Sequence, residues 1–147
     1  LTTAAADRLK ITNFTYNGAA AAGTAAGIAI VGGSGIIIDG VYADGNFSVG
    51  FIDIRTTLTS NLQVRNMIAR TQNAADTIGV DTITGSTGTI GPNVFMRVAD
   101  NAANFATAFQ GATFVYHNPV SVVNLAGEIG GIDTTAATGF KTMSTNA

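Results

Sequence analysis

The chain has 147 residues, a length that reads as one domain and is enough to bury a core. Only 11% of its residues are charged and 46% are hydrophobic, against about 25% charged in an ordinary soluble domain, so much of the surface is expected to be covered by other protein. A net charge of -2 with scattered basic residues gives no footprint for nucleic acid, and the absence of cysteine removes disulfide frameworks, thiolate nucleophiles and the usual zinc sites.

Residues 1–8 read as an N-terminal tail or cap, with Asp7, Arg8, Leu9 and Lys10 forming a turn where the first strand begins. The opening at Leu1, without methionine or a basic-then-apolar leader, reads as a mature or trimmed start. Residues 9–18 (LKITNFTYNG) look like part of a unit that recurs below, and residues 19–26, rich in Ala, Gly and Thr, read as a loop.

The most informative stretch is residues 27–69, which contains one unit twice. GIAI, a Gly/Ser break and IIIDGV make the first copy; GFIDI, a polar break and LQVRNM make the second. A short apolar strand, a turn and a second short strand, recurring at about 25 residues, signal a repeat fold. The longest apolar run, residues 27–38, is broken by Gly32, Gly33, Ser34 and Gly35. It falls short of the roughly 20 residues a membrane helix needs, so no membrane partner is expected.

Extending the unit along the chain, first strands are predicted to open at Gly27, Gly50, Gly79, Ala112 and Gly131. Second strands are predicted to centre on Ile11, Ile38, Val64, Met96 and Val122, at spacings of 27, 26, 32 and 26 residues. The long spacing is assigned to an insertion at residues 85–92, GSTGTIGP. Stacked in parallel, these strands give two inward apolar columns, Leu9, Ile36, Leu62, Val94, Val120 and Ile11, Ile38, Val64, Met96, Val122. Thr12, Asp39, Arg65, Arg97 and Val123 form an outward column, and Asn13, Gly40, Asn66, Val98 and Asn124 occupy the following turn.

Strand pairs of the form G-I-x-I, turn, I-x-V-x-N resemble the right-handed parallel β-helix of pectate-lyase-like proteins and of many phage virion proteins. The resemblance covers roughly residues 9–135 and implies an all-β fold, a short right-handed parallel β-helix of about five rungs, with residues 136–147 as a C-terminal tail. It also implies a structural ladder of turn asparagines, Asn13, Asn66 and Asn124, interrupted by Gly40 and Val98. Enzymes of this kind use an arginine base beside calcium-binding aspartates, which would make Asp39, Arg65 and Arg97 the residues of an enzymatic alternative.

The residues themselves favour no catalysis. The outward column carries a single carboxylate where calcium takes six to eight oxygen ligands, so neither metal nor cofactor is expected. Asp81 and Asp133 are predicted to lie two repeats apart, with Asp53 out of phase with both, which leaves no acid pair for glycoside hydrolysis. His117 stands alone beside Pro119. Tyr16, Tyr42, Phe47 and Tyr116, placed near turns, are the candidate binding residues for a sugar or a neighbouring subunit.

The expectation is therefore a structural virion-type protein, resembling phage capsid decoration or cement proteins, on the outer surface of a virion or otherwise extracellular. Its partners would be copies of itself, a trimer among the possible assemblies, and other virion proteins. The alternatives are a receptor- or glycan-binding tailspike or fibre module and a polysaccharide lyase or hydrolase.

Overall fold

The computed structural model describes residues 1–3, 6–18, 24–45, 47–71, 78–98, 107–111, 113–117 and 120–123. Gly131, Asp133 and Asn124 lie outside them, as do residues 136–147. Every described element is a β-strand or a connecting turn, and every strand pairing is parallel.

The first repeat carries β1 (Thr2–Thr3) and β2 (Lys10–Gly18). The second carries β3 (Thr24–Ile30), β4 (Gly33–Ser34) and β5 (Ile37–Gly45). The third carries β6 (Phe47–Ile54), β7 (Thr59–Ser60) and β8 (Leu62–Thr71). The fourth contributes β9 (Ile78–Thr82), β10 (Thr87–Ile90) and β11 (Val94–Val98), and the fifth β12 (Thr107–Gln110), β13 (Thr113–Tyr116) and β14 (Val120–Val123).

Strands β1, β3, β6, β9 and β12 form one sheet in that order, β4 pairs with β7, and the remaining strands form the largest sheet around β5 and β8. Strands of the two larger sheets pair with their counterparts in neighbouring repeats, and cross-repeat side-chain hydrogen bonds join residues 26 to 28 apart. Mostly parallel strands stacked in sheets are compatible with a β-helix-like fold.

The long strands β2, β5 and β8 bend in the middle, and the residue at the bend adopts a left-handed backbone. Asn13 has φ 52°, Gly40 φ 71°, Asn66 φ 50° and Asn93, between β10 and β11, φ 59°. Glycine and asparagine are the residues that enter this region at low cost, which is why they occupy this column. A second corner column, Arg8, Gly35 and Asn61, is likewise left-handed at φ 58°, 68° and 55°.

Alternation along the strands sends one set of side chains inward. Ile11, Ile38, Val64, Ile90 and Tyr116 are consecutive register partners and all buried. Val41, Met67, Val94 and Val120 form a second buried column, and Ile28, Ile52, Val80 and Phe109 line the five-stranded sheet. Phe109, Phe114 and Tyr116 pack edge to face, with ring centroids 5.5 to 6.3 Å apart. Gly88 separates Leu62 from Phe114 in register without a side chain of its own; a Cβ there would meet the Leu62 carbonyl oxygen at 2.7 Å.

This register corrects the sequence alignment in the fourth repeat. Residues 85–92 are not an insertion: Thr87–Ile90 is a strand, with Gly88 and Ile90 beside Leu62 and Val64. Val94 and Met96 instead continue from Met67 and Ala69, in the second half of the bent strand. Likewise the fifth strand of the five-stranded sheet is Thr107–Gln110, and Thr113–Tyr116 belongs to the largest sheet, Ala112 lying outside the described residues. Residues 6–8 form a turn whose backbone is held by Gly32 and Ser34 of the second repeat, with Asp7 Oδ1 accepting from the Ser34 amide at 2.8 Å.

Candidate functional site

The bent strands place three large apolar side chains on the surface in one column. Tyr42, Ile68 and Phe95 are successive register partners on β5, β8 and β11. They alternate with buried Val41 and Ala43, Met67 and Ala69, and Val94 and Met96. Their exposures are 45%, 52% and 41%. Adjacent strands lie about 4.8 Å apart, so the column is a continuous apolar stripe roughly 10 Å from end to end. The next outward position holds Asp44 and Arg70, which pair through Arg70 Nε and Asp44 Oδ1 at 3.0 Å and through a second guanidinium nitrogen. The stripe is thus bordered by a neutralised ion pair.

On the other side of the bend, Asp39 and Arg65 meet as the sequence predicts, with Arg65 Nε donating to Asp39 Oδ2 at 2.9 Å. Asn66 Nδ2 donates to the other Asp39 oxygen at 2.8 Å. The Asn66 hydrogen bond chiefly holds the Asp39 carboxyl below the usual aspartate value; burial opposes it, and Arg65 and Lys10 add to the lowering. Arg97 is not brought to this pair: β11 sets it opposite Arg70. The backbone register thus separates Arg97 along the strand from Asp39 and Arg65.

Among the described residues, one asparagine pair joins neighbouring repeats at this corner, while Asn124 lies outside them. Asn93 Nδ2 donates to Asn66 Oδ1 at 2.9 Å, so Asn93, and not Val98, continues the column above Asn66. Below, the Asn13 amide oxygen lies under Gly40, where a Cβ would approach it to 2.8 Å.

Among the predicted binding aromatics, only Tyr42 is seen as a surface side chain. Tyr116 is buried against Phe109 and Phe114, because its strand alternation turns it inward. Tyr16 is a register partner of buried Ala43 and stacks on Phe14 at 6.4 Å, partly buried against the core. Phe47 opens β6, and its side chain lies outside the described set. His117 is exposed, with its backbone amide on Ile90.

A second polar cluster was missed by the sequence alignment. Asp53 and Asp81 are direct register partners on β6 and β9, whereas alignment on strand-opening glycines placed them out of phase. Arg55, in the corner after β6, binds Asp53 with both Nε (2.8 Å) and a terminal nitrogen (3.3 Å). The same Nε lies 3.1 Å from Asp81 Oδ2, but its N–H is directed at Asp53, and neither Asp81 oxygen accepts a hydrogen bond. Asp81 is fully buried. Burial pushes its carboxyl above the ordinary aspartate value; Arg55 opposes this and Asp53 adds to it.

Among the described residues no three His, Cys, Asp or Glu side chains converge as a metal site would require. Comparison with protein-family models, with curated proteins and with solved structures finds no match.

Proposed function

We propose that the chain is a short right-handed parallel β-helix of about five rungs, of the pectate-lyase-like kind, that serves as a structural virion-type protein. In this reading it decorates or cements a phage shell from the outer surface, in contact with copies of itself and with other virion proteins. The right hand follows from the general handedness of parallel crossovers. The observation that carries the functional reading is the exposed Tyr42, Ile68 and Phe95 stripe on a surface poor in charge. Burying it against a like stripe removes apolar area from water at about 25 cal/mol per Å², while the bordering Asp44 and Arg70 offset each other's charge.

A second reading, a glycan-binding tailspike or fibre module, is favoured by one specific feature. Tyr42 and Phe95 are two aromatic side chains exposed on one face, two repeats apart, a spacing of roughly 10 Å that suits stacking on successive units of an extended sugar chain.

Light scattering of the chain over a range of concentrations, with and without acidic and neutral polysaccharides, tests both. A mass that grows with concentration and is indifferent to polysaccharide supports assembly. A monomer that gains mass only with a polysaccharide supports the second reading and sinks the first.

A further inference from the structure

The junction between the third and fourth repeats holds two carboxylates against one guanidinium. Asp53 lies on β6, Asp81 on β9 and Arg55 in the corner between β6 and β7. Arg55 spends both of its hydrogen bonds on Asp53. Asp81 is left fully buried with two oxygens that accept nothing. On its other side β12 supplies Gln110 as the register partner, which carries no charge. The described strands packed against Asp81 therefore bring one acid and one base to its side of the sheet, Asp53 and Arg55.

A buried ionised carboxylate without donors is costly, because it has exchanged water for nothing. The cheapest ligand that satisfies it is a proton. We propose that Asp81 and Asp53 form a proton-sharing clasp, in which mild acidification places a solvent proton on an Asp81 oxygen and the resulting O–H donates to Asp53. The two carboxylates share one neighbour, Asp53 Oδ1 and Asp81 Oδ2 standing 2.8 Å and 3.1 Å from the same Arg55 nitrogen. After protonation the cluster is one carboxylate, one carboxylic acid and one guanidinium, which is neutral.

The sign is opposite to that of a salt-bridged aspartate. A carboxyl raised in the folded state stabilises the fold fully below its unfolded value of about 3.8 and loses that contribution as pH rises through the folded value. The clasp tightens as pH falls through the folded value toward 3.8, and the five-stranded sheet gains cohesion between β6 and β9.

The test is the melting temperature of the full chain between pH 7.5 and 4, for wild type, Asp81→Asn and Asp53→Asn, in EDTA and again with calcium chloride. The clasp predicts a wild-type melting temperature that rises as pH falls over this range. It also predicts that Asp81→Asn melts higher than wild type at pH 7.5 and loses the rise. A flat or falling wild-type profile that Asp81→Asn merely parallels would overturn it. So would a calcium-dependent rise at pH 7.5 lost in both variants, because the ligand would then be a cation. The Asp81 carboxyl carbon shift in wild-type protein gives the same answer by NMR without a variant: a midpoint above the ordinary aspartate range supports the clasp, and one at or below it refutes it.

Discussion

Asn93 donates its side-chain amide to Asn66 Oδ1 across 2.9 Å, one repeat away, and Asn66 passes the chain of bonds on to Asp39 at 2.8 Å. Both asparagines hold a left-handed backbone at the bend of their repeat. One residue type thus does two jobs, turning the strand and tying it to the next.

Asn66→Ala removes both functions. Placing alanine in the left-handed region costs about 1 to 2 kcal/mol, and Asp39 loses its second donor. A loss of about 2 kcal/mol in urea unfolding is expected. Asn66→Gly keeps the backbone and should lose clearly less, since only the amide bonds go.

The corner after β12 makes a stricter demand. Gly111 has φ 89°, and a Cβ there would overlap the Thr82 carbonyl oxygen of the preceding repeat. Gly111→Ala should cost at least about 2 kcal/mol through backbone strain and displaced chain. Thermal or urea unfolding would show it, and a variant of wild-type stability would mean that β12 is not stacked on β9 as described.

Leu62 is fully buried at the start of β8, and Leu62→Ala should cost about 2 to 5 kcal/mol by opening a cavity. Its neighbour Gln63 faces the other way and is half-buried. Gln63→Ala should fall within about 0.5 kcal/mol of wild type. Equal effects at the two positions would refute the inward and outward assignment along β8.

Asp39 supplies the pH signature opposite to that of Asp81. Its carboxyl is lowered chiefly by the Asn66 hydrogen bond, so its contribution is present above the unfolded value of 3.8 and is lost as pH falls through the folded value. Asp39→Asn should be less stable than wild type at pH 7, with the difference closing below about pH 3.8. The pair is partly exposed to solvent, which screens it, so the effect will be small.

Much of the architecture is legible in the residues. Apolar alternation and the recurrence of Ile38 and Val64 are enough to find parallel stacking, and the Asp39 with Arg65 pair follows from that alignment. The fourth repeat is not legible because β10, TGTI, has one large apolar side chain and the glycine and threonine content of a turn. Reading it as an insertion shifted Val94 to Val98 by half a strand. That hid the Tyr42, Ile68 and Phe95 column and placed Arg97 beside Arg65. The sequence carried one corrective signal: Asn66 and Asn93, 27 apart, keep the repeat period that Val98 breaks. The Asp53 and Asp81 pair was missed for a related reason. Glycine opens these strands at positions the pairing does not align, Gly50 lying opposite Ala26 and Ile78. A one-residue slip sends a side chain to the other face.

The central claim is that the Tyr42, Ile68 and Phe95 stripe is where this protein meets its own copies. Sedimentation velocity of wild type and Ile68→Asp over a concentration series tests it most directly, with melting temperature as the check on folding. The account predicts an associating wild type and a monomeric Ile68→Asp of nearly unchanged melting temperature. A wild type that remains monomeric throughout, or an Ile68→Asp that associates as wild type does, would contradict it.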